Sequence, residues 1–300
     1  MTCSRRGFLK AAACAAGTPL ALTEVLGPQL PARGRPCKKA VKLGMVRAGD
    51  TLLQKFELLK QLGFDGVELD SPNGLDRAEV LDARDQTGLV IHGVVDSVHW
   101  SKPLSDPDES VRRAGTDALV TALRDAKAYG ASSVLLVPAV VNKAVSYRSA
   151  YERSVACIRE VLPLAAELEI HIALENVWNN FLLSPLELCR YIDEFESPWI
   201  GSYFDVGNVV RFAWPEHWIE ALGPRILKVD VKEYSRQKQN DEGLWKGFAV
   251  ELHEGDCDWP SVMKAFDAID YAGWFTAEIP GGGEDRLRDI AARMDRIFAS

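Results

Sequence analysis

Two rhythms of apolar residues take turns along the chain. Short runs rich in Val, Ile, Leu and Phe, near residues 41–46, 65–69, 89–95, 132–138, 170–175, 199–204, 226–232 and 273–279, read as buried strands. Between them, segments such as Leu52 to Leu62, Val111 to Tyr129, Tyr151 to Leu168 and Trp259 to Ile269 space their apolar side chains three and four apart, the period of an amphipathic helix. Helix starts carry their own marks. Ser184-Pro185-Leu186-Glu187 offers a serine cap, a proline at the first helical position and a glutamate placed to close a capping box. Strand followed by helix, repeated at these lengths, means a parallel sheet. Eight repeats predict an α/β fold closed into a (β/α)8 TIM barrel over residues 41–300, a usual size for one such domain. No Gly-x-Gly-x-x-Gly follows the first strand, so the mark of an open dinucleotide-binding sheet is missing.

Alternation within each strand separates an inward from an outward face. Ile170, Ile172 and Leu174 read as helix-facing, leaving His171, Ala173 and Glu175 inward. Leu227, Val229 and Val231 read as helix-facing, leaving Lys228, Asp230 and Lys232 inward. By the same parity Trp274, Thr276 and Glu278 point in, Glu68 points in between Val67 and Leu69, and Asp205 shares the face of Gly201 and Tyr203. The pattern therefore gathers Glu68, Glu175, Asp205, Asp230 and Glu278 at or near the C-terminal ends of strands, where barrel enzymes place their chemistry. Buried carboxylates repel one another and lose hydration, so they need a cation or must keep their protons. One hard divalent ion, Mn²⁺ or Mg²⁺, answers that need with oxygen ligands. The competing reading is an ionic plug in which Lys228, Lys232, Arg225 and Arg236 pair with the acids.

The first 40 residues stand apart. Ser4-Arg5-Arg6-Gly7-Phe8-Leu9-Lys10 precedes a small apolar stretch from Ala11 to Leu22, the arrangement of a twin-arginine (Tat) export signal. Residues 1–26 are read as that signal and 27–40, with Pro28, Pro31 and Pro36, as a linker, which predicts a periplasmic or otherwise extracytoplasmic protein. No other apolar run approaches the length of a membrane span, so no stable membrane insertion is expected after export. A formal net charge of −8, without a basic run beyond the leader and linker, argues against a nucleic-acid partner. The six cysteines, Cys3, Cys14, Cys37, Cys157, Cys189 and Cys257, show neither CxxC nor zinc spacing and read mostly as inert thiols.

Several segments occur in the order of the expected strand ends: Leu62-Gly63-Phe64-Asp65-Gly66-Val67-Glu68, Ala173-Leu174-Glu175-Asn176, Phe204-Asp205-Val206-Gly207-Asn208, Val229-Asp230-Val231-Lys232-Glu233, Glu254-Gly255-Asp256 and Gly273-Trp274-Phe275-Thr276-Ala277-Glu278. Together they resemble the xylose-isomerase-like barrel superfamily, in particular its sugar isomerase and 3-epimerase branch. The resemblance implies one divalent ion held by Glu175, Asp205 and Glu278, with Asp230 standing where the family usually has a histidine ligand. Enediolate chemistry on a ketose or related sugar needs a base and an acid on opposite faces of the substrate, and Glu175 and Glu278 are assigned to that catalytic pair. Asn208 replaces a second motif histidine, and Arg236 matches an arginine that contacts substrate oxygens. Glu68, His99, Trp100 and Trp178 complete the expected substrate-binding set, the aromatics as a stacking wall for a small carbohydrate. A homo-oligomer is compatible with this reading. Rival readings are an exported lyase or dehydratase acting on an oxidised sugar or glycoside, Schiff-base chemistry at Lys228 or Lys232, and a sugar-binding barrel without catalysis.

Overall fold

The computed structural model describes residues 36–300. The expected twin-arginine leader and most of the expected linker lie outside the described residues. Eight parallel strands close into a barrel in sequence order: β1 (Lys38–Lys42), β2 (Gly66–Ser71), β3 (Val90–Asp96), β4 (Ser133–Leu136), β5 (His171–Glu175), β6 (Ile200–Asp205), β7 (Ile226–Val231) and β8 (Trp274–Ala277). Pairing of Lys38 with Trp274 through Val41 with Ala277 closes the ring. The strand order and the closure bear out the expected (β/α)8 barrel.

The helices follow as α1 (Leu52–Gln61), α2 (Arg77–Thr87), α3 (Glu109–Tyr129), α4 (Tyr147–Leu168), α5 (Pro185–Asp193), α6 (Val206–Val210), α7 (Pro215–Leu222), α8 (Arg236–Glu242), α9 (Trp259–Ala268) and α10 (Glu284–Phe298). Ser184 caps α5 by accepting from the Glu187 amide. The Glu187 carboxylate reaches past Ser184 to the Leu183 amide at 2.9 Å and also accepts from the Tyr147 hydroxyl, so the box expected there closes one residue early. The main core lies between strands and helices, where Val41, Val67, Leu69, Ile91, Leu136, Ile172, Phe204, Val229 and Phe275 are almost fully buried. Burying such side chains is worth roughly 1.5–3 kcal/mol each. No helix among the described residues is long and apolar enough to cross a membrane.

Two expectations need correction. β1 begins three residues early, so Lys38–Ala40, expected in the linker, are strand, while Leu43–Met45 turn into a 3-10 helix. Two lysines disguise the strand start. The Lys39 ammonium lies 5.6 Å from the Phe64 ring centre and reaches Asp295 at 2.6 Å, so its stem can be buried. The second correction concerns Leu227, which packs against the small interior cluster of Leu135, Ala173 and Tyr203. A register shift pairs Ser202 with Ile226 but Tyr203 with Lys228, skipping Leu227 and breaking the alternation there. Gly201 makes the room: a Cβ on it would sit 2.6 Å from Leu227 Cγ.

Candidate functional site

Glu175 ends β5, Asp205 ends β6, Asp230 is the penultimate residue of β7, and Glu278 follows β8. Each offers one carboxylate oxygen, and these atoms all lie within 4.8 Å of one another. Asp205 and Asp230 are fully buried register partners, Glu175 is buried, and Glu278 is partly open. The parity of four separate strands thus brings together the four residues expected to bind metal. Asn176 ties two of their strands. It accepts from the Asp205 amide at 2.9 Å and donates to the Asp205 carbonyl at 2.8 Å.

Two ammonium groups share this space. Lys232 Nζ lies 2.7 Å from Asp205 Oδ2 and 2.8 Å from Glu278 Oε2. Lys42 Nζ lies 3.0 Å from Asp230 Oδ2, 3.6 Å from Glu278 Oε1 and 3.8 Å from Glu68 Oε2. Of the four cations in the ionic-plug reading, Lys232 pairs with these acids as supposed, while Lys228 is held by His92, Arg225 pairs with Asp193 and Arg236 binds loop carbonyls. Lys42 belongs to no motif. Its signals were its place in β1 opposite Glu68 and its alternation with Val41.

The electrostatics follow from burial first and neighbours second. Burial and the Glu278 charge push Glu175 up to about 8, against the pull of Lys42 and Lys232. Burial raises Asp205 to about 6, with Lys232 opposing. Asp230 is raised well above the ordinary carboxylate range by burial and by three carboxylates, and only Lys42 opposes that shift. For Glu278, burial is outweighed by Lys42 and Lys232, which hold it well below the usual range. Asp230 Oδ1 accepts no hydrogen bond among the described residues. An all-oxygen donor set that converges and leaves a buried oxygen unsatisfied could hold a hard divalent cation.

A cavity of about 360 Å³ opens beside this cluster, lined by Glu175, Glu278, Lys232 and Asn208 and walled by Trp100, Trp178, Trp245 and Phe248. Trp178 is central to the wall: its ring centre lies 4.9 Å from Trp245 and 4.8 Å from Phe248, and its Nε1 donates to the Asn208 carbonyl at 2.7 Å. Trp245 and Phe248 were absent from the expected set. They come from the 3-10 segment Leu244–Phe248 after α8, where no strand register guides a sequence reading.

The remaining expected residues separate. Asn208 reaches the cavity, though its Nδ2 donates to the Asn176 carbonyl at 3.0 Å. Trp100 lines the cavity and is half exposed. His99 packs edge-on against Trp100, accepts from the Val137 amide at 3.3 Å, and is pushed down to about 4 by burial and Lys42. Arg236 does not line the cavity; its fork donates to the Val210 and Ala213 carbonyls at 2.7 and 2.6 Å and stacks on Trp214. Glu68 lies in a polar layer with Tyr203, Thr276, His92 and Lys228, and is not in the cavity wall.

Glu233, beside Lys232, is a buried acceptor. Its carboxylate takes the amides of Tyr234, His253 and Cys257 and the Trp259 indole at 2.8–3.3 Å. Cys157, Cys189 and Cys257 are free thiols, and no described cysteine belongs to the acidic cluster.

Fold and site define a class: a closed eight-stranded barrel with an acidic, oxygen-rich centre at the C-terminal ends of its strands. The family profile described as xylose isomerase-like TIM barrel matches residues 56–297, and the chain belongs to that family. L-ribulose-5-phosphate 3-epimerase UlaE of Escherichia coli O1:K1 / APEC is 26% identical over 282 residues, covering 85% of this chain and 96% of the relative. Among solved structures, a D-tagatose 3-epimerase-like protein aligns with TM-score 0.74 at 17% identity, over 87% of this chain and 97% of that one. The 3-keto-D-glucoside 4-epimerase YcjR from E. coli aligns with TM-score 0.73 at 16% identity, over 89% and 100%. At these identities the structural matches speak for the fold.

Proposed function

We propose that the protein is a divalent-metal-dependent sugar epimerase or isomerase acting on an unphosphorylated ketose or keto-glycoside. The observation that carries this reading is the convergence of Glu175, Asp205, Asp230 and Glu278 within 4.8 Å beside an aromatic-walled cavity. The names of the relatives, a ribulose-phosphate 3-epimerase, a tagatose 3-epimerase-like protein and a keto-glucoside 4-epimerase, support sugar epimerisation, and the choice of an unphosphorylated substrate rests on the charge of the cavity.

Glu175, Asp205, Asp230 and Glu278 would hold the ion, which when bound supplies positive charge for the substrate's carbonyl and neighbouring hydroxyl oxygens. Glu175 and Glu278 both border the cavity and come from strands on different sides of the barrel. With a sugar between them, one carboxylate takes the proton from the carbon beside the carbonyl, and the other returns a proton to the opposite face. That exchange inverts the carbon. The indole and phenyl faces of Trp178, Trp245 and Phe248 bind the C–H face of the sugar ring.

The charge of the cavity bears on substrate class. Lys232 is its one cation among the described lining residues, and two carboxylates already hold it. A phosphate dianion would meet more negative than positive charge there. Arg211, whose guanidinium carbon lies 5.0 Å from the Trp178 ring centre, borders the adjoining groove instead. The twin-arginine leader supports export, and its paired replacement, Arg5→Lys with Arg6→Lys, is expected to retain a fused reporter in the cytoplasm.

Protein purified without chelator is expected to carry about one divalent ion per chain and to wash solvent deuterium into free ketoses. Absence of both, with no rescue by Mn²⁺, would refute the reading. Release of an unsaturated product would identify a lyase. Faster turnover of ketose phosphates than of free ketoses would move the substrate class and point to Arg211.

A further inference from the structure

The aspartate at position 230 and the lysine at position 42 come from different strands, and the structure puts them in direct contact. Lys42 ends β1 in register with Glu68, and its ammonium lies 3.0 Å from Asp230 Oδ2. Asp230 is fully buried, and the Lys42 side chain is only 18% exposed, so this pair has little solvent screening. The two oxygens of Asp230 differ: Oδ2 faces the ammonium, while Oδ1 accepts no hydrogen bond among the described residues and remains available to a cation.

Charge counting gives the pair its meaning. Glu175, Asp205, Asp230 and Glu278 stand against Lys42 and Lys232, leaving an excess of two negative charges, the complement of one divalent ion. A neutral residue at position 230 with Lys42 still present would leave an excess of one. Removing both charges restores two. Beneath them Glu68, 3.8 Å from Lys42, and Lys228, held by His92, are one acid and one base, which together add no net charge whether both or neither is ionised.

We infer that Lys42 and Asp230 act as one unit, a carboxylate ligand with a built-in counter-ion, which together replace a single neutral ligand. The inference rests on reading the rim as a divalent-cation site. It also reverses a simple expectation. Histidine at position 230 would by itself weaken the site, because Lys42 would be left as an unpaired ammonium beside the ion.

Calorimetric titration of metal-free protein with Mn²⁺ tests this on the wild type, Lys42→Met, Asp230→His and the double variant. Asp230→His is expected to bind at least about tenfold more weakly than wild type, and Lys42→Met in that background to return affinity to within about threefold. Lys42→Met alone is expected to bind at least about tenfold more tightly. Wild-type affinity in Asp230→His with Lys42 in place, or unchanged affinity in Lys42→Met, would overturn the pairing. Should Asp230→His not fold, Lys42→Met decides alone. A wild type that binds no Mn²⁺ defeats the metal reading instead. The pair is then read from melting of the metal-free Lys42→Met variant, expected to drop by about 5 °C or more, with no drop overturning it.

Discussion

The barrel interior holds two buried charged layers of similar composition and different behaviour. In the inner layer, burial raises Glu68 and lowers Lys228 to about 7, so both shift toward neutrality. Tyr203, Thr276 and His92 surround them with hydrogen bonds, and His92 stacks on Trp274. Gly93 is moulded to the pair: a Cβ there would lie 2.5 Å from Glu68 Oε1 and 3.3 Å from Lys228 Nζ. At the rim the acids diverge instead. Glu278 is held ionised by two lysines while Glu175 rises to about 8, and both border a cavity. A buried acid and base that both shift toward neutrality form a structural element. An open cluster whose members are driven apart is suited to binding charge and moving protons.

Replacements in the two layers should therefore fail in different ways. The largest effect is expected for Glu278→Gln, which should slow deuterium exchange into substrate by roughly 10³-fold or more while circular dichroism shows an intact fold; near-normal exchange would remove Glu278 from the acid–base pair. Lys228→Met should cost about 3–5 kcal/mol in urea unfolding with Mn²⁺ affinity kept within about threefold. Adding Glu68→Gln should recover more than half of that loss, and equal losses in single and double variants would mean that Lys228 acts through its contacts with His92 and not through the Glu68 charge.

The rim should also show in the pH dependence of metal-free protein. Glu175 rises from its ordinary 4.5 to about 8, so the folded state binds that proton more tightly than the unfolded state. Stability should be greatest at or below about pH 4.5 with respect to this group, and fall as pH climbs toward 8. Mn²⁺ affinity should rise over the same window, because ligation needs the carboxylate. Melting and titration at pH 6 and 8 check both slopes, and flat profiles would place Glu175 outside the coupled cluster. The smallest effect is expected for Trp100→Ala at the half-exposed edge of the wall: KM up by about three- to tenfold with kcat unchanged.

Much of this geometry is legible in the chain because strand alternation is a strict rule. Parity alone put Glu175, Asp205, Asp230 and Glu278 on one face, and the closed barrel did the rest. Parity failed at Leu227, where a bulge interrupts it, and no periodicity announces a bulge in a short apolar run. Lys42 escaped for a different reason: a lysine near a strand end reads as solvated until the acids facing it are known. Trp245 and Phe248 lie in a loop whose path depends on tertiary contacts. Arg236 illustrates the reverse error, since a motif position located it, but the nearby carbonyls of Val210 and Ala213 took its donors.

The acceptor knot at Glu233 has a consequence for how such a barrel can diversify. It gathers chain from Tyr234, His253, Cys257 and Trp259, so the stretch from residue 235 to 252 leaves and returns through one fixed clasp. That stretch carries Trp245 and Phe248 of the cavity wall, and none of the four clustered carboxylates. It is an interchangeable cassette: a different insert could retune which sugar is accepted while the strand-borne chemistry beneath it stays in place.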